Sequence, residues 1–337
     1  MKCDVLIAGG GPAGMATAIV LRSRGIHCMI AEPVDVLLPK AGETIPPNAK
    51  ALFTKLGIGS LLDSPAHLPC FGNKFIWGKA GEKDFFSGIH GHGWHLNRTH
   101  FEAQLRAHVQ SIGVKWVTAR VTGDMSGNFL VDATGRASRV ARSLGVQRTR
   151  LDMLTGFWCV LDTAEQVKPF YTYIEAVNNG WWYAAPLQGN KLSLAFMTDS
   201  DLPEMRDMEA ARSLSLIGPL LEKINLNVQP AINPASTSYL NTRFGKNWLA
   251  VGDAAYAYDP ISSYGIVSSL ESGFFAGHAI ADHYAGNADA LPAYDYLIST
   301  SFTNYLKMHS HQYLQETRWK HEPFWKRRPI HPQVPVT

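Results

Sequence analysis

The chain has no run of apolar residues as long as the ~18 that a membrane-spanning helix needs, so its sequence predicts no membrane partner. Cysteine is scarce. Cys3, Cys28, Cys70 and Cys159 form no Cys-x-x-Cys pair, which argues against a disulfide framework or a zinc site and suits a reducing, cytoplasmic setting. There are 13 histidines, including His90-Gly91-His92 and His309-Ser310-His311, but no His-Glu-x-x-His, and no metal site is expected. Charged residues are only 18% and the net charge is +3, too mild to imply nucleic acid. The short basic stretch Lys326-Arg327-Arg328 reads as a solvated end. No internal repeat or low-complexity linker interrupts the chain. The first predicted strand starts within four residues of Met1, which leaves no room for a secretory signal in the sequence as it stands.

What the chain does have is apolar bulk, 46% of 337 residues, enough for a large core. Its sharpest feature is Asp4 to Gly14, DVLIAGGGPAG. An apolar run, Asp4 to Ala8, reads as a buried parallel strand, and Gly14 to Arg24 as a helix with Met15, Ile19 and Leu21 on its apolar positions. Between them Gly9-x-Gly11-x-x-Gly14, with Pro12 and Ala13, forms a dinucleotide fingerprint. Its glycines serve a tight turn, close backbone approach to a pyrophosphate, and helix-on-strand packing. The helix N-terminus directs free N–H groups at the phosphates. A second apolar run ends at Glu32, the acid expected to accept hydrogen bonds from an adenosine ribose.

A second nucleotide signal lies far downstream. Asn247 to Ala257 contains an apolar strand ending in Gly252-Asp253, followed by Asp259-Pro260-Ile261-Ser262-Ser263-Tyr264-Gly265 and a helix from about Ile266 to Tyr284. Such a loop and helix start can hold a polyol hydroxyl and face a ring carbonyl. Midway, Phe129 to Asp132 reads as a strand entering Ala133-Thr134-Gly135-Arg136. These pieces predict one discontinuous nucleotide-binding domain, 1–68, 98–152 and 239–290. Residues 69–97 and 153–238 alternate and are aromatic-rich, as in Trp181-Trp182-Tyr183, and predict a sheet with one buried face. Asp199 to Leu221 reads as a helix with an acidic opening turn. From about Ala290 the chain reads as helix until Pro323, so that 291–337 makes a C-terminal helical segment and tail.

The order of fingerprint, middle Asp-Ala-Thr-Gly and late Gly-Asp…Asp-Pro…Gly resembles the FAD-dependent monooxygenases of the para-hydroxybenzoate hydroxylase fold along essentially the whole chain. The resemblance implies an α/β fold class: a Rossmann-like FAD-binding domain with an interleaved, mostly antiparallel β-sheet substrate domain and C-terminal helices. It also implies FAD contacts from Gly9, Gly11, Pro12, Ala13, Gly14, Glu32, Arg98, Asp132, Gly135, Gly252, Asp253, Pro260, Ser263, Gly265 and Ile266. Asp253 would take the ribitol, residues 260–265 would line the ring, and Arg98 would lie near the phosphates.

Gly42-Glu43-Thr44-x-Pro46 and Gly180-Trp181-Trp182-Tyr183-x-x-Pro186 resemble the tryptophan-halogenase branch, with departures. Tyr183 replaces the second Trp and Ala185 the Ile of Trp-x-Trp-x-Ile-Pro, and Ser262 stands where the active-site glutamate of halogenases would be. Lys74 lies at the spacing from Glu43 at which halogenases carry a catalytic lysine, and is expected in or beside the cavity. The segments Trp77-Gly78, Gly93 to Arg98, Asp132 to Arg136 with Ala141-Arg142-x-Leu144-Gly145, and Glu316 to Arg328 are similar to the small flavoproteins of tryptophylquinone biogenesis that accompany quinoprotein amine and amino-acid oxidases. The C-terminal cluster of tryptophans and arginines reads either as a tail anchored on the FAD domain or as a substrate contact.

These resemblances imply an FAD-dependent monooxygenase that uses O₂ to hydroxylate an aromatic ring, most naturally a tryptophan side chain of a protein or peptide such as an oxidase precursor. Glu43, Lys74, His92, His95, Trp181 and Ser262 are the candidate catalytic positions. There is no second Gly-x-Gly-x-x-Gly, so electrons are expected from transient NAD(P)H contact or from a separate flavin reductase. The alternatives are a halogenase of an indole or other small aromatic, favoured by Lys74, and a non-catalytic flavoprotein chaperone of an oxidase precursor.

Overall fold

The computed structural model describes residues 2–34, 40–85, 88–121, 126–202 and 207–328. Four sheets organise it. A six-stranded sheet has the order 244–245, 248–250, 126–132, 2–8, 28–31, 115–117, and every neighbouring pair is parallel except the first. Its central strand, Lys2–Ala8, feeds the fingerprint and the helix Pro12–Ser23. Helix Gly265–Tyr284 crosses that helix at very short range because its contact face is glycine. A Cβ at Gly273 would lie 2.3 Å from the Ala13 carbonyl oxygen, and one at Gly277 2.5 Å from Val20 Cβ.

The seven-stranded sheet runs 231–234, 154–162, 191–199, 180–187, 172–177, 72–77, 79–84, antiparallel except where 172–177 meets 72–77. Period-two alternation gives it two faces. Trp182, Ala184, Leu194, Phe196 and Tyr173 pack beneath Met208, Ile217, Leu221 and Leu226. Trp181, Tyr183, Trp158, Ala195, Met197, Phe75 and Trp77 take the opposite face, toward the C-terminal segment. Two small sheets, 44–45/93–95/68–70 and 148–150/238–240/256–257, join the layers.

The helix expected over Asp199 to Leu221 is not formed. Asp199 ends a strand, and the only helical pieces among the described residues there are the short 3₁₀ segments Met208–Ser213 and Gly218–Leu221. The Glu175 carboxylate explains this, because it captures the N–H groups of Ser215, Leu216 and Ile217, which a continuous helix would have bonded to its own carbonyls. The C-terminal helix ends at Leu314 rather than running to Pro323. Pro323 begins a further short helix, Pro323–Lys326, as proline can at a first turn. The proline-rich stretch beyond 328 lies outside the described residues.

Candidate active site

The fingerprint strand and helix place three glycines in different circumstances. Gly9, at φ +110°, and Gly14 are fixed by the protein itself, since a Cβ on either would come 2.2 Å from a backbone oxygen. Gly11 is not. Its φ of −77° and ψ of 178° suit any residue, and a Cβ there would meet nothing within 4 Å. A glycine that the fold does not need, at an uncapped helix N-terminus, is accounted for by a ligand that approaches the backbone.

Glu32 follows the strand Cys28–Ala31 and accepts the Gly10 N–H at 2.8 Å, which holds its carboxylate beside the fingerprint. Gly252 sits against Ala13, its φ of +56° leaving no room for a side chain. Asp253 is partly exposed beside it, 3.3 Å from the Arg136 guanidinium. Helix Gly265–Tyr284 starts without a side-chain cap, with Gly265 exposed and Ile266 buried behind it. Gly265 lies eight residues before Gly273, or about 12 Å along the axis. The two uncapped helix starts at Gly11 and Gly265 and the Asp253 carboxylate are the groups here that could hold an anionic dinucleotide. Pro260 and Ser263 shape the loop ahead of the second helix, and Ser263 is in the left-handed conformation.

Behind this loop lies a buried polar cluster that joins the small sheet to the seven-stranded one. Glu43 is 2% exposed. Its carboxylate accepts from Ser193 Oγ at 3.1 Å and faces the Tyr183 hydroxyl at 3.5 Å. Ser193 in turn accepts from Trp158 Nε1 at 2.9 Å. Thr44 Oγ1 bonds Tyr183 OH, His95 Nδ1 and Thr172 Oγ1 at 2.9, 3.1 and 3.2 Å. Burial lifts the Glu43 carboxyl above the usual carboxylate range, against the pull of Arg98 and Ser193. Thr44, Thr172, Ser193, Trp158 and Tyr183 are ordinary strand residues, and of these Thr44 and Tyr183 carried a signal in the sequence, Thr44 within the Gly42-Glu43-Thr44-x-Pro46 motif and Tyr183 as a departure from another.

Burial also pushes His95 down to about 3. A histidine held neutral in the fold but free to protonate near its ordinary value when unfolded withholds no stability above pH ~6.5. It costs stability progressively as pH falls from there toward 3, on the order of 3 kcal/mol by pH 4. Chemical unfolding of His95→Gln against the parent at pH 7 and pH 4 checks this, and the parent is expected to lose more stability than the variant on acidification.

The remaining candidates fall in several places. Arg98 is not a surface arginine, but neither does the structure leave it free for phosphates. Its guanidinium donates to the carbonyls of Ala41 and Gly42 and to Glu102, anchoring the backbone that presents Glu43. Asp132 is turned inward, where its carboxylate accepts from Thr134 N, Thr134 Oγ1 and Ala141 N. It shapes the turn at Gly135, whose φ is +63°. Ser262 Oγ donates to the Asp259 carbonyl and stabilises its own loop. His92 Nδ1 lies 2.7 Å from the Gly93 carbonyl and packs edge-on against Phe71 and Trp94, outside the Glu43 cluster.

Lys74 is not brought to the cluster. It registers with Tyr173, on the face opposite Tyr183 and Trp181, where it pairs with Glu82 at 3.5 Å and lies over the Tyr171 ring. Its spacing from Glu43 is right, but the phase of the strand points it away. Trp181 is on the cluster's face but only 1% exposed, and its indole N–H is spent on Tyr313 OH. The three consecutive aromatics are therefore split between the two faces of the sheet, with Trp182 on the far one.

The C-terminal segment is a packed strap on the seven-stranded sheet, not a tail on the nucleotide domain. Trp77 donates to the Gln312 carbonyl and Trp325 to that of Val177. Glu316 accepts from Gly78 N and binds Arg318. Of the basic end, Lys326 and Arg327 are exposed as expected, but Arg328 is not, because it forms an ion pair with Asp199 in which each side chain is 1% exposed. Tyr313 OH and His309 Nε2 both reach the buried Asp259 carboxylate, which caps the loop at Ile261 N.

Residues 2–76 match the FAD binding domain family and residues 74–334 the tryptophan halogenase family. The chain belongs to the tryptophan halogenase family. Relatives of this family member include LodB of Marinomonas mediterranea, whose activity as an FAD-dependent oxidoreductase is itself inferred, 26% identical over 96% of both chains. Another is the 1H-pyrrole-2-carbonyl-[peptidyl-carrier protein] brominase of Pseudoalteromonas luteoviolacea, 24% identical over 87% of this chain and 80% of the brominase. Among solved structures, the halogenase CmlS superposes with a TM-score of 0.84 at 21% identity, covering 99% of this chain and 68% of CmlS. QhpG, a peptidyl tryptophan dihydroxylase essential for tryptophylquinone cofactor biogenesis, superposes at 0.79 and 24% identity, over 98% and 81%. The α/β halogenase-like fold and its FAD-binding domain are thereby established for the tryptophan halogenase family member described here. No helix among the described residues is long and apolar enough to cross a membrane.

Proposed function

We propose that this flavoprotein is an FAD-dependent monooxygenase that hydroxylates a tryptophan side chain of a partner protein during quinone cofactor biogenesis. The observation that carries the reading is the placement of Lys74 and Ser262. The cation that the halogenase resemblance calls for lies on the far face of the sheet, and the position of the halogenase glutamate holds a serine tied to its own loop. The full-length similarity to LodB and the shared fold with QhpG support a quinoprotein partner.

When bound and reduced, FAD supplies electrons to O₂, so that one oxygen atom can enter an electron-rich ring while the other leaves as water. The two electrons come from NAD(P)H or a flavin reductase. The protein's own part is to hold the dinucleotide between Gly11 and Gly265, to present Glu43 on a loop pinned by Arg98, and to keep water from the aromatic side of the sheet. A peptide substrate fits this site's apolar and aromatic surroundings because its backbone is neutral and needs no charged clamp. The four cysteines are all free, in keeping with a reducing cytoplasm.

Co-expression with the partner oxidase precursor, followed by mass spectrometry of its tryptophans under ¹⁸O₂, tests the proposal. Incorporation of labelled oxygen is expected, independent of halide and retained in Lys74→Ala. Halogen incorporation, or loss of product in Lys74→Ala, would favour halogenation. No change in the partner despite O₂ consumption would favour the chaperone reading.

A further inference from the structure

Every donor around Glu43 points toward it in two converging chains. Trp158 Nε1 donates to Ser193 Oγ, which donates to Oε1. On the other side His95, Thr44 and Tyr183 are joined by contacts of 3.1 and 2.9 Å, and Tyr183 OH faces Oε2 at 3.5 Å. His95 is wholly buried and stays neutral. Tyr183 OH donates to Oε2 and so takes its own hydrogen bond from Thr44 Oγ1, which leaves Thr44 to accept from a proton on His95 Nδ1. Glu43, Thr44, His95, Thr172, Ser193 and Trp158 are all buried, and Tyr183 alone of the cluster's hydrogen-bonding side chains is partly exposed. Tyr183 is also where the halogenase motif carries its second tryptophan, so a phenol replaces an indole on the one partly exposed side chain of the cluster, with its hydroxyl turned in toward Thr44 and Glu43.

We propose that Tyr183 is the proton-transfer residue of this site, its hydroxyl passing the proton shed by the substrate ring to Glu43, while Thr44 and His95 fix the direction in which that hydroxyl points. The proposal rests on the oxygen-insertion reading above. Once the ring carbon has formed its bond to oxygen, its C–H bond breaks and leaves the electron pair in the ring. The proton goes to the Tyr183 oxygen as the phenol's own proton moves to Glu43 Oε2. No electrons change hands in this step. The 3.5 Å gap is longer than a strong hydrogen bond, and such contacts tighten when a site fills.

The remaining groups are compatible with this direction. Arg98 is the charge that acts on Glu43, and Ser193 and Trp158 also favour its ionised form, while burial raises its basicity. Beside Tyr183, burial and then the Glu43 charge hold the phenol well above its ordinary value, and the Cys70 thiol is raised by burial as well. Tyr183 therefore relays a proton without itself becoming a stable phenolate, and Glu43 is the group that stores it.

The test uses the purified flavoprotein, with the infrared carbonyl stretch of the protonated Glu43 carboxyl assigned by its loss in Glu43→Gln. Tyr183→Phe removes a donor to the ionised form, so the Glu43 titration is expected to move up by roughly half to one pH unit, with a smaller move in Thr44→Val. With the partner substrate, Tyr183→Phe should lower kcat by about a hundredfold at unchanged KM. Thr44→Ser should restore what Thr44→Val loses. A Glu43 titration indifferent to Tyr183→Phe, or full kcat in that variant, overturns the relay alone. Absence of oxygenated product from the unmodified protein overturns the oxygen-insertion reading and the proton's role with it.

Discussion

Gly11→Val is expected to yield a folded, colourless protein. The backbone at Gly11 is extended, a conformation valine favours, and its side chain would project into space that no protein atom occupies within 4 Å. Stability of the apoprotein should therefore change by no more than about 1 kcal/mol, the ordinary range for a helix N-cap substitution. The same side chain would fill the volume that a pyrophosphate needs, and FAD affinity should fall at least about a hundredfold, or ~3 kcal/mol. Gly9→Val is the contrasting case. Its Cβ would lie 2.2 Å from the Ala133 carbonyl oxygen at a φ of +110°, so that variant should fail to fold rather than fail to bind. Flavin absorbance and thermal unfolding of the two proteins separate the effects. Stoichiometric flavin in Gly11→Val would sink the dinucleotide site described here.

Asp199→Asn should cost about 3–5 kcal/mol of stability. The exchange keeps the side-chain shape but turns one of the two accepting oxygens into an N–H donor facing a guanidinium, and it removes the charge that compensates a buried Arg328. Arg328 has nowhere to go, since it lies over the Phe324 ring at 3.9 Å and donates to the Phe324 carbonyl. Asp201→Asn serves as the control. It removes a neighbouring pair with Arg327 in which both side chains are about 40% exposed, and should cost under about 1 kcal/mol. Equal denaturation midpoints for Asp199→Asn and the parent would show that the strap is not held by this ion pair.

The contrast between Gly11 and Lys74 shows what was legible in the sequence and why. A fingerprint is local: strand, turn and helix are contiguous, and each glycine's reason lies within a few residues or in the ligand. The nucleotide site and the halogenase-like fold could therefore be read directly. Lys74 was placed by counting along the chain from Glu43, and a count does not fix which face of a strand a residue takes. A shift of one residue inverts the face, and register with Tyr173 set it the wrong way for a reaction site. Asp132 is a related case, because a motif names a residue without saying which way its carboxylate turns, here toward Thr134 and the Ala141 N–H. The Glu43 cluster was half visible. Glu43, Thr44 and His95 sat in recognisable patterns, whereas Thr172 and Ser193 acquire meaning only when strands more than a hundred residues apart come together.

The C-terminal strap also bears on how the chain is made. Asp199 and the Trp77 indole belong to strands that emerge early from a ribosome, yet their partners are Arg328 and the Gln312 carbonyl. Until residue 328 has been synthesised, the nascent sheet carries an uncompensated acid and an uncovered aromatic face. The seven-stranded sheet can therefore reach its final packing only after residue 328 has been synthesised, and its exposed surface before then is of the kind that chaperones bind.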